Sequence, residues 1–165
     1  MFVFKLKVPA AKILIPIMAV LSIITAIVCV ISMTHIMSGA PSTATCDELG
    51  TYTLTGGDTK DQIDFLNKFK ITADPKSKKT RNVTIPVEFN EVYNEYNKLQ
   101  NAIGLDLVGF KGKTAQEVTY EITNGQYKFA VLLICDSRVI GAHLTNGEYG
   151  GKNAPLTKLW TDLTK

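Results

Sequence analysis

The residues able to do chemistry in this 165-residue chain are few and scattered. It has two histidines, His35 and His143, and three cysteines, Cys29, Cys46 and Cys135. Metal sites and general acid–base sites need several ligating or titrating groups converging on one point. None of the spacings that signal such convergence occurs: no HExxH, CxxC, GxSxG or phosphate-loop pattern. The glycine-rich run Asn146-Gly147-Glu148-Tyr149-Gly150-Gly151 lacks the Lys-Ser/Thr of a phosphate loop and reads as a loop. Glu91 and Glu95 fall on the polar face of an amphipathic helix, where carboxylates are solvated. Arg138 sits beside a turn; solvent snorkelling is one reading and anion recognition the other. The basic segment Lys76-Ser77-Lys78-Lys79-Thr80-Arg81 reads as a solvated connector, with contact to an anionic wall polymer or lipid headgroup as the alternative. We therefore assign no catalytic, cofactor-binding or metal-ligating residue. The domain is expected to bind no catalytic metal and to hydrolyse nothing, and its ligand-binding residues stay unknown.

The charge distribution sets where these residues sit. Met1 to Met33 carries Lys5, Lys7 and Lys12 and no acidic residue, while all acidic residues lie at Asp47 or later. The formal charge of +3 therefore belongs to the N-terminal flank, and the remainder is neutral. A neutral domain lacks the footprint of a nucleic-acid binder. From Ile13 to Met33 the chain is uncharged for 21 residues, the length that crosses a bilayer core as a helix and longer than a signal-peptide hydrophobic region. Lysines precede this span and none follows closely, which places residues 1–12 in the cytoplasm and the rest outside. Cleavage at the small-residue site Ser42-Thr43-Ala44 is the competing reading. Residues 34–57 are rich in Ser, Thr, Gly and Ala and read as a linker, with Tyr52 and Leu54 as a possible short strand. The folded domain is expected over residues 58–165.

Within that domain, Thr59-Lys60-Asp61-Gln62 fits a capping box with Thr59 as N-cap, followed by Ile63, Leu66 and Phe69 at helical spacing. A short strand at Ile71–Ala73 and another at Val83–Ile85 follow. The clearest helix runs from Glu88 to Ile103, with Phe89, Val92, Tyr93, Tyr96, Leu99 and Ile103 as its apolar stripe and Gly104 as its stop. Asn124-Gly125 predicts a two-residue hairpin that pairs Tyr120 with Phe129 and Val118 with Val131. Asp136-Ser137 predicts the next turn, which pairs Leu133 with Ile140 and Phe129 with Leu144. This register makes one sheet face uniformly apolar, and the long helix is expected to rest on it, with Tyr96 and Leu99 against Tyr120, Phe129 and Val131. The first helix, the stretch Leu156, Leu159, Trp160 and Leu163, or a partner protein is expected over the other face. In the same register Cys135 and His143 lie on opposite faces and roughly 16 Å apart, which argues against a dyad. A Cys46–Cys135 disulfide stays open. The fold class is α+β: a two-layer domain with an antiparallel meander sheet packed on one or two helices, preceded by a single N-terminal transmembrane helix.

The run VTIPVEFNEVYNEYNKLQNAIGLDLVGFKGK, followed by VTYEITN and LLICDSRVIGAHL, resembles the bacterial family catalogued as domain of unknown function 4830. Its motif IPxEFxxVYxxYNxLQ spans Ile85 to Gln100, and the resemblance runs from about Thr59 to Asn146. Cys135-Asp136-Ser137 departs from the aromatic-Asp-Gly turn usual there. The resemblance implies small bacterial proteins, often with one N-terminal span, and carries no activity or site residue across. The reading as a whole is of a membrane-anchored, extracytoplasmic binding or interaction module with a protein or cell-wall partner, no cofactor and no nucleic acid. The alternatives are an envelope hydrolase and a structural subunit of a membrane complex.

Overall fold

The computed structural model describes residues 41–148, 151 and 153–158. The apolar span at Ile13–Met33, its basic flank and His35 lie outside these residues; among the described residues no helix is long and apolar enough to cross a membrane. The elements in chain order are β1 (Thr43–Cys46), β2 (Gly50–Thr53), α1 (Thr59–Lys68), β3 (Lys79–Thr84), α2 (Glu91–Asn101), β4 (Thr114–Glu121), β5 (Phe129–Cys135) and β6 (Arg138–Thr145). β1 and β2 form a two-stranded hairpin, and β3-β4-β5-β6 form an antiparallel sheet in that order. The class is α+β.

The second half of the expected linker is structured. Residues 43–53 are the β1–β2 hairpin, and Tyr52 and Leu54 are buried in the main core. The reason is aromatic: Tyr52 meets Phe65 of α1 and the C-cap residue Phe69 at ring separations of 6.0 and 5.3 Å. α1 starts where expected, but its N-cap is Asp58, whose Oδ1 accepts the Asp61 N–H at 2.8 Å. Thr59 instead accepts from Lys78 Nζ. α2 is capped by Asn90 and starts at Glu91, three residues inside the expected start at Glu88. Gly104 ends it with φ +74°, and a Cβ there would meet Thr45 O at 2.1 Å, so both conformation and the β1 backbone demand glycine.

The Asp136–Ser137 turn forms as expected, with both residues at positive φ. The Asn124–Gly125 turn does not. Asn124 Nδ2 donates to Lys70 O and its Oδ1 accepts the Thr72 N–H, both at 2.8 Å. With the side chain committed to that segment, the connection lengthens and Ile122 pairs with Lys128. The register moves by one, so Tyr120 faces Ala130 and Val118 faces Leu132. A one-residue slip turns every side chain of β5 to the opposite face. A bulge at Leu133/Ile134 then shifts the β5–β6 pairing so that Val131 faces His143.

The expected layering holds for β5, whose Phe129, Val131 and Leu133 lie on the α2 side and Leu132 on the α1 side, and is reversed for β4 and the far half of β6. Val118, Tyr120, Ala130, Leu132, Val139, Ala142 and Leu144 face α1. The long helix α2 covers the other face, through Tyr93 and Tyr96 beside Leu133 and Ile140. The sheet thus lies between two helices, with α1 over one face, one of the covers expected for it, and α2 over part of the other. Ile71–Ala73 makes only an isolated bridge, Ala73 to Ile122. Of the basic segment, Lys79 to Arg81 is strand and not connector. One buried amide, Gln62, ties the sheet to the loop before α1. Tyr120 Oη donates to Gln62 Oε1 at 2.6 Å, and Gln62 Nε2 donates to Gly56 O at 2.9 Å.

The register carries a direct test. Leu132→Ala should cost about 2–5 kcal/mol in chemical unfolding, because it removes a fully buried side chain. Phe129→Ala should cost only about 1–2 kcal/mol, since its ring is half-buried on the other face. The reverse order would restore the two-residue turn.

Candidate functional site

The face opposite α1 is only partly covered. α2 lies over the β6 side, where Gly141 admits it: a Cβ at Gly141 would meet Gln100 Oε1 at 3.2 Å. Gln100 Oε1 accepts the Ala142 N–H at 2.6 Å, and Asn97 Oδ1 accepts the Leu107 N–H at 2.8 Å. The buried line of α2 therefore runs through Tyr93, Tyr96, Asn97 and Gln100. It is turned one residue from the apolar line through Val92, which is 77% exposed. Beyond α2, towards β3, the sheet face forms the floor of a groove of about 680 Å³.

The floor is built from residues that alternate on three strands: Thr119, Val131, Leu133 and His143, with Phe129 at one end. Tyr93 and Tyr96 form one wall, and β3 forms the opposite rim. An aromatic file runs along the α2 wall. Phe89 meets Tyr93 at 4.6 Å, Tyr93 meets Tyr96 at 5.5 Å, and Tyr96 meets the His143 ring at 5.3 Å. Gly147 closes the end near Phe129, where a Cβ would stand 3.0 Å from that ring.

The polar groups of the groove are placed tightly. Arg81 grips Glu117 with two parallel bonds, Nε to Oε1 at 2.6 Å and Nη2 to Oε2 at 2.9 Å. Tyr96 Oη lies 3.0 Å from His143 Nδ1. Burial pushes the Tyr96 phenol well above its usual range, so it keeps its proton. Burial lowers His143 to about 4, against a smaller opposing pull from Glu117, so the imidazole is neutral at pH 7. When Tyr96 donates to Nδ1 the ring proton sits on Nε2, a directional donor on a floor shared with Thr119, Val131 and Leu133.

Of the residues singled out from sequence, Lys79, Arg81, His143 and Gly147 line the groove, and Cys46, Cys135, Glu91, Glu95 and Arg138 do not. His143 pairs with Val131, not with the expected Ala130, and shares a face with Cys135 rather than opposing it. Four rows of β5 still separate them, about 13 Å at strand rise. Burial and then the Asp136 carboxylate push the Cys135 thiol upward, so it is no activated nucleophile. Cys46 and Cys135 are free, one in each of the two cores. Glu91 is exposed, and Glu95 binds Lys98 at 2.5 Å on the helix surface. Among the described residues no group of three or more His, Cys, Asp or Glu is placed to hold a metal ion. Sequence reasoning missed Tyr96, Gln100 and the Arg81–Glu117 fork. The usable signal was the spacing of Tyr93, Asn97 and Gln100 at intervals of four and three, which puts two amides on the side that packs.

His143 makes stability depend on pH. Its folded pKa is depressed below the unfolded value near 6.5, so the unfolded chain binds a proton that the folded one refuses. The stability is fully present above pH 6.5 and falls as pH drops towards 4. Between pH 7 and pH 5 unfolding should become easier by about 2 kcal/mol, and His143→Gln should remove most of that slope.

No curated protein and no solved structure matches the chain. A family model does, over residues 65–144, which run from α1 to the last strand and include the aromatic file and His143. That model is of the family described as domain of unknown function (DUF4830), and its match supports the family that the sequence resembles.

Proposed function

We propose that this chain is a membrane-anchored binding module, held on the outer side of the membrane by its N-terminal apolar span, that takes a ligand in the groove beneath α2. One observation carries the reading: the sheet face between α2 and β3 forms a concavity of about 680 Å³ with Phe129, Val131 and Leu133 in its floor and polar side chains around them. Ligand sites are mostly apolar concavities with a few placed polar groups. Here the placed groups are the neutral His143–Tyr96 pair and the Arg81–Glu117 fork. They supply directional hydrogen bonds and fixed charge. For a hydrolase the same inventory is poor: Glu117 is already gripped by Arg81, and His143 has a tyrosine rather than a nucleophile at its nitrogen. Anchoring rests on the uncharged stretch from Ile13 to Met33 with lysines before it. A regulatory role in a bacterial envelope is the setting that fits a small anchored binder.

Two measurements in intact cells test this. A reporter active only outside the cytoplasm, fused after Lys165, should be active, and full-length mass should appear in the membrane fraction. A photoreactive amino acid at Thr119, on the groove floor, should give a discrete adduct, whereas one at exposed Glu48 should not. An adduct from Glu48 with none from Thr119 would move the binding surface elsewhere, and an inactive reporter would remove the outer location.

A further inference from the structure

The two edges of the sheet are treated differently. β6 is closed by the chain's own backbone: Val139 N–H donates to Leu54 O at 2.8 Å, and Leu144 and Ala154 exchange bonds of 2.8 and 3.0 Å. β3 has β4 on one side and, among the described residues, no strand on the other. Five of its six residues are exposed. Ile85 N–H donates to Lys113 O in line with the β3–β4 register. In an antiparallel ladder inward and outward groups alternate. The N–H and C=O groups of Thr80, Asn82 and Thr84 therefore point away from the sheet.

Lysines on an edge strand can simply blunt aggregation. That need does not account for the groove, which runs along the same strand: Lys79, Arg81 and Val83 share the groove face, opposite Thr119, Glu117 and Ala115. A strand added outside β3 would lay every second side chain over that groove. The charge around this edge is one-sided. Lys76, Lys78 and Lys79 stand at its start, and Lys111 and Lys113 flank its end. Of the neighbouring carboxylates, Asp74 accepts the Lys76 N–H and Glu117 is held by Arg81, so that Glu121 beside Ser77 and Glu88 beyond Pro86 stand against the five lysines.

We infer that β3 is a docking edge: an extended, acidic peptide segment of a partner protein pairs with it as a fifth strand and places alternate side chains in the groove. Backbone pairing supplies the hold, and the alternate side chains supply the choice, as in other strand-addition modes. Six strand residues span about 20 Å, so a segment of roughly six or seven residues suffices. The inference rests on the groove being the binding surface.

The test uses the full-length chain in nanodiscs of neutral lipid and a labelled seven-residue peptide alternating Glu with Val. Fluorescence anisotropy should show binding at least ten-fold tighter than for the same peptide with Lys in place of Glu, or with alternate backbone nitrogens methylated. Asn82→Pro removes one outward donor and leaves the ladder to β4 intact; it should weaken binding at least ten-fold. Lys79→Glu should weaken it at least five-fold. Both variants should melt within a few degrees of the parent. Binding unaffected by methylation and by Asn82→Pro would overturn strand addition, and the Thr119 adduct would then show separately whether the groove still binds. Preference for phosphatidylglycerol vesicles with no peptide discrimination would overturn the peptide in favour of a lipid surface.

Discussion

The register of β5 against β4 is the constraint from which the rest of the domain follows. It is set outside the sheet, by the Asn124 side chain closing on Lys70 and Thr72. That commitment draws the 70–74 segment against the end of β4, where Thr123 N–H also meets Thr72 O and Asp74 N–H meets Glu121 O. Ala130 and Leu132 then turn towards α1, and Phe129, Val131 and Leu133 turn away from it. In the other register Phe129 and Val131 would enter the α1 core, and the groove would lose most of its apolar floor. Two side-chain hydrogen bonds, each worth about 1 kcal/mol net, thus decide which face of a seven-residue strand becomes core. They can do so because the strand is apolar on both sides, so burial alone hardly separates the alternatives.

That near-degeneracy explains what could be read from the sequence. The α+β class, the meander, the Asp136–Ser137 turn and the Gly104 stop were legible because each rests on local chemistry. The hairpin at Asn124 was not, because its signal is local while the side chain's partners lie more than fifty residues away. α2 misled in a related way. Hydrophobicity points to Val92 and Leu99, yet Gln100 is fully buried and Val92 exposed. A buried amide is invisible to a pattern that scores apolarity. It becomes favourable only when a backbone donor such as Ala142 N–H is waiting for it. The β1–β2 hairpin was hidden by its composition: Ser, Thr and Gly look like linker until Tyr52 finds Phe65 and Phe69. Of the groove, His143 and the basic run through Lys79 and Arg81 stand out in the sequence as chemistry, whereas Tyr96 reads as one residue of an apolar stripe.

The glycines tie these layers to one another. Gly141 lets α2 approach β6 closely enough for Gln100 to reach the backbone, and the same approach brings Tyr96 to His143. Gly104 lets the chain leave α2 hard against Thr45, which seats the hairpin beside the α1 core. The helix that walls the groove and the hairpin that seals the opposite core are therefore joined through one turn of backbone. A change that tilts α2 reaches both.

His143 shows how such a groove can discriminate. The apolar floor of Val131, Leu133 and Phe129 rewards any ligand that displaces water from it, roughly in proportion to area. Area alone does not distinguish one apolar group from another. A neutral imidazole whose Nδ1 is already engaged by Tyr96 adds a demand that area cannot meet, since its remaining nitrogen must be matched or left buried and unpaired. Leaving a buried polar group unpaired costs about 1–3 kcal/mol, enough to separate ligands of equal apolar area by roughly five-fold to more than a hundred-fold. The desolvation that lowers the His143 pKa is the same desolvation that makes this demand strict. A more exposed ring would be stabler in acid and would recognise less.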